Sequence, residues 1–384
     1  MVGLTKTIRI PLHEPNKGKY DSLINTLNRY SECINFHLDG AFLYADSKEE
    51  LHELCYHSSR LDGLSANLVQ SARDRALEMY WKGCTHTSNV PLRLNQRIFK
   101  LVLRDDTLNL IGITTINGRI YVPLPPYLRP YQKRHLKDIT SGKATCNSAE
   151  LVDREGDLWI HLFVKYELDK PQYQPKTIIG VDLGVSKLAT VSVLSKDAVS
   201  KVNFFDGSEL RFRRKCYKRS LSEWQSNGND AMVRRSKGKI SNLSTHLNHC
   251  ISKWIVSLAK QYSDPVIVIE SLKGIRERIK YSKRMNAELH SWSFAQLQSF
   301  IEYKALEKGI RVEYVDAKNT SRMCCNCGHS HKSNRRDQAH FKCLECGYEA
   351  NSDFNASVNI VKVFREKAPT QPTWLGGRGE LNRP

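Results

Sequence analysis

Four cysteines stand in two Cys-x-x-Cys pairs, Cys324 with Cys327 and Cys343 with Cys346, with fifteen residues between the pairs. Each pair offers two thiolates to one ion. Together they make a closed tetrahedral set, which predicts one structural zinc ion with no position left for chemistry. Gly328 and Gly347 follow the pairs, where a tight turn must aim backbone amides at sulfur. Cys325 has the wrong spacing for a ligand, and His329, His331 and His340 are surplus to four thiolates. Lys332, Arg335 and Arg336 lie between the pairs and predict a basic loop, set against nucleic acid or in solvent.

Three carboxylates invite a second kind of metal. Asp182 ends the apolar run Thr177-Ile178-Ile179-Gly180-Val181, and Glu270 ends Val266-Ile267-Val268-Ile269. Asp353 opens the last helical stretch, seven residues after Cys346. Strands this apolar are covered on both faces. An acid at such a strand end is costly to ionise without positive charge beside it. Gly180 and Gly184 are read as keeping the backbone open for a bulky ligand. Three converging carboxylates would suit magnesium, which takes oxygen ligands from them and from a phosphate. Two such ions about 4 Å apart can hold the attacking water and the leaving oxygen of a phosphodiester.

The rest of the chain must position these groups. Residues 3–11 alternate as one strand, and residues 20–82 carry a helical repeat that predicts a small bundle. Several short strands follow in 91–168, with turns at Asn117-Gly118 (type I′ by its sequence) and Glu155-Gly156. They predict an antiparallel barrel interrupted by the helices. After a linker near Pro171–Pro175, three strands precede alternating helices and strands, the order of an RNase H-like domain. The Pro- and Gly-rich tail, 366–384, is expected to be disordered.

The 384 residues carry a formal net charge of +19, which points to a polyanionic partner. Arg211, Arg213, Arg214, Lys215, Lys218 and Arg219 fall within nine residues around Phe212 and Tyr217, and a second basic run spans Lys273–Arg284. Their density beside the acids suits a channel for a phosphate backbone. No segment approaches the ~18 apolar residues of a membrane span, and the N-terminus has no signal core, so a cytoplasmic, nucleoid-associated protein is expected.

With these motifs the chain resembles TnpB, the transposon-encoded family of RNA-guided nucleases related to compact type V CRISPR effectors. The resemblance is carried by Gly180-Val181-Asp182-Leu183-Gly184, Ile267-Val268-Ile269-Glu270, Thr320-Ser321-Arg322-Met323-Cys324-Cys325-Asn326-Cys327-Gly328, Phe341-Lys342-Cys343-Leu344-Glu345-Cys346-Gly347 and Asp353-Phe354-Asn355-Ala356-Ser357. It implies an α+β multidomain protein in which a β-barrel wedge (1–14 and 89–170) holds a helical recognition lobe (15–88). A RuvC-type nuclease (171–317 and 351–365) then carries the zinc insert (318–350). It further implies Asp182, Glu270 and Asp353 as catalytic magnesium ligands, a guide RNA, and double-stranded target DNA read beside a short flanking motif. Asn67 and Gln70 on the recognition helices are candidates for reading that motif, because amides pair with adenine edges. The alternatives are a guided repressor that does not cut, a strand-joining transposase, and a compact CRISPR effector.

Overall fold

The computed structural model describes residues 1–44, 47–59, 63–104, 109–184, 187–195, 198–236, 238–271, 293–316, 319–337 and 339–367. Of the expected tail, 366–384, the first two residues are described and end the last helix; residues 368–384 and the Lys273–Arg284 run lie outside the described residues. The chain forms two compact units, residues 1–168 and residues from 169 onward.

The first unit opens with strand β1 (Val2–Pro11) and helices α1 (Lys17–Tyr44), α2 (Lys48–Ser59) and α3 (Ala66–Tyr80). Strands β2 (Leu92–Asn95), β3 (Phe99–Val102), β4 (Leu110–Thr115) and β5 (Gly118–Pro123) follow, then α4 (Pro130–Thr140), β6 (Ala144–Arg154) and β7 (Asp157–Leu168). The strands form two antiparallel sheets, in the orders β1-β7-β6-β2 and β3-β4-β5, where a single barrel was expected. One hydrophobic core joins both sheets to α1 and α3. As anticipated, the N-terminal strand belongs here: β1 runs against β7 from Val2↔Leu168 to Pro11↔Trp159.

The turn chemistry differs from expectation. Thr115 pairs with Gly118, so Ile116 and Asn117 form the loop and Gly118 alone takes a positive φ, 95°. The type I′ geometry belongs instead to Glu155 (φ 56°) and Gly156 (φ 95°), between the paired residues Arg154 and Asp157. Helix α4 was not anticipated among the strands. Its signals were Pro130 at the first helical position and Gln132, whose Oε1 accepts from the Arg129 N–H at 2.8 Å.

The second unit is built on a five-stranded sheet ordered β10-β9-β8-β11-β12. Its strands are β8 (Thr177–Asp182), β9 (Lys187–Ser195), β10 (Ala198–Asp206), β11 (Pro265–Ser271) and β12 (Arg311–Asp316). Neighbours β8, β9 and β10 are antiparallel, whereas β11 is parallel to both β8 and β12. Helices α5 (Ser208–Ser226), α6 (Asp230–Ser236) and α7 (Lys239–Ala259) lie between β10 and β11, α8 (Phe294–Leu306) precedes β12, and α9 (Ser352–Lys367) closes the described chain. Between β12 and α9, the short strands β13 (His340–Lys342) and β14 (Glu349–Asn351) pair within the cysteine insert.

The central strands bury both faces. Ile179, Val181, Ile267 and Ile269 pack with Ile251, Ile255, Leu297 and Ile301 of α7 and α8. Ile178, Val266 and Val268 pack with Val358, Ile360 and Val361 of α9. That explains the continuous apolar runs of β8 and β11. Gly180 does not open space for a ligand. A Cβ there would collide with the Ser357 carbonyl oxygen and lie 2.7 Å from Val361 Cγ2, so the glycine lets α9 sit directly on β8. Gly184 likewise faces the Lys187 carbonyl oxygen, which would stand 2.7 Å from a Cβ at that position. Gly180→Ala is expected to lower unfolding stability by about 1–3 kcal/mol, the usual cost of overpacking, as read by chemical denaturation.

Candidate metal centre

Strand alternation decides which way the acids point. Val181 and Ile269 face α7 and α8, so the next residues, Asp182 and Glu270, face the α9 side. The β8–β11 register ends with Ile269 opposite Val181, one step before both acids. Ser192 of β9 is opposite Gly180 and shares a 2.5 Å hydroxyl hydrogen bond with Ser357 of α9, which marks the same face. Asp353 sits in the first turn of α9. It is not the cap: Asn351 Oδ1 accepts from the N–H groups of Asp353 and Phe354 at 3.0 and 3.1 Å. Its carboxylate is thereby left for other work.

Electrostatics tie the three together. Burial pushes the Asp182 carboxyl well above the usual range, and the charges of Glu270 and Asp353 push it further. Burial also raises Glu270, against a lowering hydrogen bond from Thr320 and the nearby charge of Arg335. Asp353 is raised by burial and drawn back by Arg335 and Lys187. These carboxyls do not form a tight cage. Among the described residues, the four cysteines are the group whose ligand atoms all lie within 4.8 Å of one another. Thr190, opposite Asp182 in the ladder, has a buried Oγ1 without a hydrogen-bond partner among the described residues. An acid trio with an orphaned hydroxyl beside it, and no His or Cys, is an oxygen donor set that fits magnesium.

Arg335 was expected only as part of a basic loop. Its Nη2 lies 3.4 Å from Asp353 Oδ1, placing one guanidinium from the insert at the acids. Nothing in its spacing announces this, because a pairing across eighteen residues requires the insert to fold back on α9. The seat is built by Asn334, fully buried, which donates to the carbonyls of Arg322 and His329 at 3.1 Å and accepts from Leu344 N–H at 3.0 Å.

The four sulfurs are arranged as the spacing predicts. Cys324 Sγ lies 3.7 Å from Cys346 Sγ, and Cys327 Sγ 3.6 Å from Cys343 Sγ. A tetrahedral zinc with bonds near 2.3 Å needs sulfurs about 3.8 Å apart, so the set fits one ion. Gly328 (φ 79°) and Gly347 (φ 72°) make matching turns, in which their N–H groups donate to the carbonyls of Cys324 and Cys343 at 2.9 and 3.1 Å. The histidines stay outside: His340 pairs with Asp337 at 2.8 Å and His331 accepts from Ser333 N–H. Cys325 packs against the core under α9.

The basic residues of α5 stand on an exposed helix. Arg213 pairs with Glu209 at 2.6 Å and Arg219 with Glu223 at 2.9 Å, each one turn away, whereas Phe212 is 68% exposed between them. The Arg211 side chain falls outside the described part of this helix. In the first unit, Asn67 and Gln70 line a polar cleft of about 500 Å³ with Arg73, Asp74, Arg93 and Glu150. Arg93 is held there by Glu78 through two 2.8 Å hydrogen bonds. Arg73 of α3 is buried: His52 of α2 contacts its Nη1 at 2.6 Å and Asp74 its Nη2 at 2.9 Å.

The family "Cas12f1-like, TNB domain" matches residues 294–360, which span α8, β12, the cysteine insert and Asp353. The chain is 28% identical over 249 residues to a TnpB-like protein of Aquifex aeolicus, covering 59% of this chain and 80% of that one. The resemblance to the TnpB family is therefore shown. The chain is also 31% identical over 238 residues to the CRISPR-associated endodeoxyribonuclease Cas12f1 of Sulfoacidibacillus thermotolerans, across 58% of this chain and 54% of that protein. It thus spans about half the length of that relative. A solved Cas12f1–sgRNA–target DNA complex shares its mixed α and β fold, with TM-score 0.66 over 93% of this chain and 98% of that one, at 14% identity. Among the described residues, no helix is long and apolar enough to cross a membrane.

Proposed function

We propose that the chain is an RNA-guided DNA endonuclease whose RuvC-type site is formed by Asp182, Glu270 and Asp353. The observation that carries this reading is the set of three carboxyls, brought by β8, β11 and α9 to one face of the sheet with Arg335 beside them. Bound magnesium ions would supply the activated water and the Lewis acidity for in-line displacement at phosphorus. Asp182, Glu270 and Asp353 would hold them by carboxylate oxygens, giving up the protons that burial favours. Arg335 would turn from Asp353 towards the scissile phosphate and meet its developing charge. The four thiolates would hold one zinc that fixes the insert.

The remaining parts follow the same division of labour. The segments 1–14 and 89–170 are assigned to a wedge, 15–88 to a recognition lobe, 171–317 with 351–365 to the nuclease, and 318–350 to the zinc insert. The exposed basic side chains of α5 suit the backbone of guide RNA or target DNA, and the cleft at Asn67 and Gln70 suits base edges of a short flank. Pairing between guide and target would read the rest.

Plasmid cleavage with the co-purifying RNA and magnesium tests the proposal. Cleavage that depends on both supports it; guide-dependent binding without cleavage would favour a repressor. Arg335→Gln is expected to slow cleavage about 10²-fold with guided binding retained, the typical loss of one oriented donor at a developing charge. Single-turnover rates on a bound target check this.

A further inference from the structure

Helix α9 does more than carry Asp353: it grips the start of the zinc insert. Asn359, fully buried, donates Nδ2 hydrogens to the carbonyls of Thr320 and Met323 at 2.8 and 2.6 Å. Asn355, equally buried, donates to the Met323 carbonyl at 2.7 Å and accepts from Cys325 N–H at 2.8 Å. The turn leading to the first two thiolates is thereby fastened to the helix bearing the third acid. Within that turn Thr320 is 1% exposed, and its hydroxyl donates to Glu270 Oε1 across fifty residues. Gln298 of α8 holds the main-chain oxygen of Glu270 at 2.7 Å, so the strand end is anchored on the backbone and on the side chain.

We infer that Thr320 is a positioning residue: it fixes the Glu270 carboxylate and makes divalent-ion binding at the acids depend on a zinc-loaded insert. A glutamate side chain has three rotatable bonds, and a buried donor on one oxygen selects a single arrangement. The remaining lone pairs are then presented to an ion. Partners one step behind metal ligands commonly set affinity by 10- to 100-fold. Because the same turn begins the thiolate site four residues later, order in the insert and order at Glu270 are one event. Two ligands that favour the same ordered state bind cooperatively.

This rests on the acids being a divalent-ion pocket, and the test separates the two ideas. Full-length, zinc-loaded protein is titrated with manganese(II), and the free ion is followed by electron paramagnetic resonance. Wild type, Asp182→Ala, Thr320→Val, Thr320→Ser and zinc-stripped wild type are compared, with zinc content measured in each. Thr320→Val, which keeps shape and removes the donor, is expected to weaken manganese binding about tenfold, as is stripping the zinc, whereas Thr320→Ser stays near wild type. Unchanged manganese binding in Thr320→Val, with or without its zinc, would overturn the inference. So would unchanged binding in the stripped protein, or a serine variant as weak as the valine one. Equal binding by wild type and Asp182→Ala would instead sink the metal-pocket reading itself.

Discussion

Replacing Asp182 by asparagine is expected to cut the cleavage rate by at least ~10³, because a lost metal ligand removes several kcal/mol of transition-state stabilisation and each 1.36 kcal/mol is tenfold. Guided DNA binding should persist, since Asp182 ends a core strand and contributes no positive charge. The same substitution should stabilise the metal-free protein. Asp182 is raised first by burial and then by its two acidic neighbours, so its charged form is unwelcome in the fold. The folded state therefore holds this proton where the unfolded chain, with a pKa of about 3.9, has released it. In that window the folded state binds more protons than the unfolded one, and stability falls as pH rises. Thermal melts without divalent ions should show wild-type stability declining above about pH 4, and a flatter profile for Asp182→Asn that lies above it at neutral pH. Magnesium should restore wild type and leave the variant unmoved. Cleavage by Asp182→Asn at the wild-type rate would defeat the assignment of this site.

Removing the zinc should be the second large effect. The insert has a small core of its own, Cys324, Phe341 and Cys343 with Tyr348 beside them, and two of these three buried residues belong to the four-cysteine set. A structural four-thiolate zinc contributes about 10–16 kcal/mol of apparent binding free energy to such a unit, more than a core of this size can supply. Cys343→Ser is therefore expected to lose the ion and unfold residues 319–351, while the five-stranded sheet with α7 and α8 stays folded on its own core. Limited proteolysis should cut within the insert, circular dichroism should keep most of its helical signal, and cleavage should fall by at least the ~10²-fold expected for losing Arg335, because the insert carries it away from the acids. A variant that binds no zinc yet resists proteases and cuts normally would show that the insert needs no metal.

Much of the centre was legible from residue order because its signals are local. Ligands at i and i+3 in a tight turn imply their geometry wherever the turn is placed, so the four thiolates were readable without a fold. The acids were readable because an apolar run ending in a carboxylate reports burial on both faces, and strand alternation then requires Asp182 and Glu270 to share a side once β8 and β11 adjoin. Tertiary packing alone decided the rest. Arg335 reaches Asp353 and Thr320 reaches Glu270 only when the insert folds back on α9, and polar side chains in a basic or polar stretch carry no periodicity that names a distant partner. Gly180 illustrates the same limit. One residue type admits either a ligand or a neighbouring helix, and the close approach of Ser357, a contact spanning most of the second unit, selected the helix. Local spacing encodes what a turn can hold; which segments meet depends on the summed burial of residues far apart in the chain.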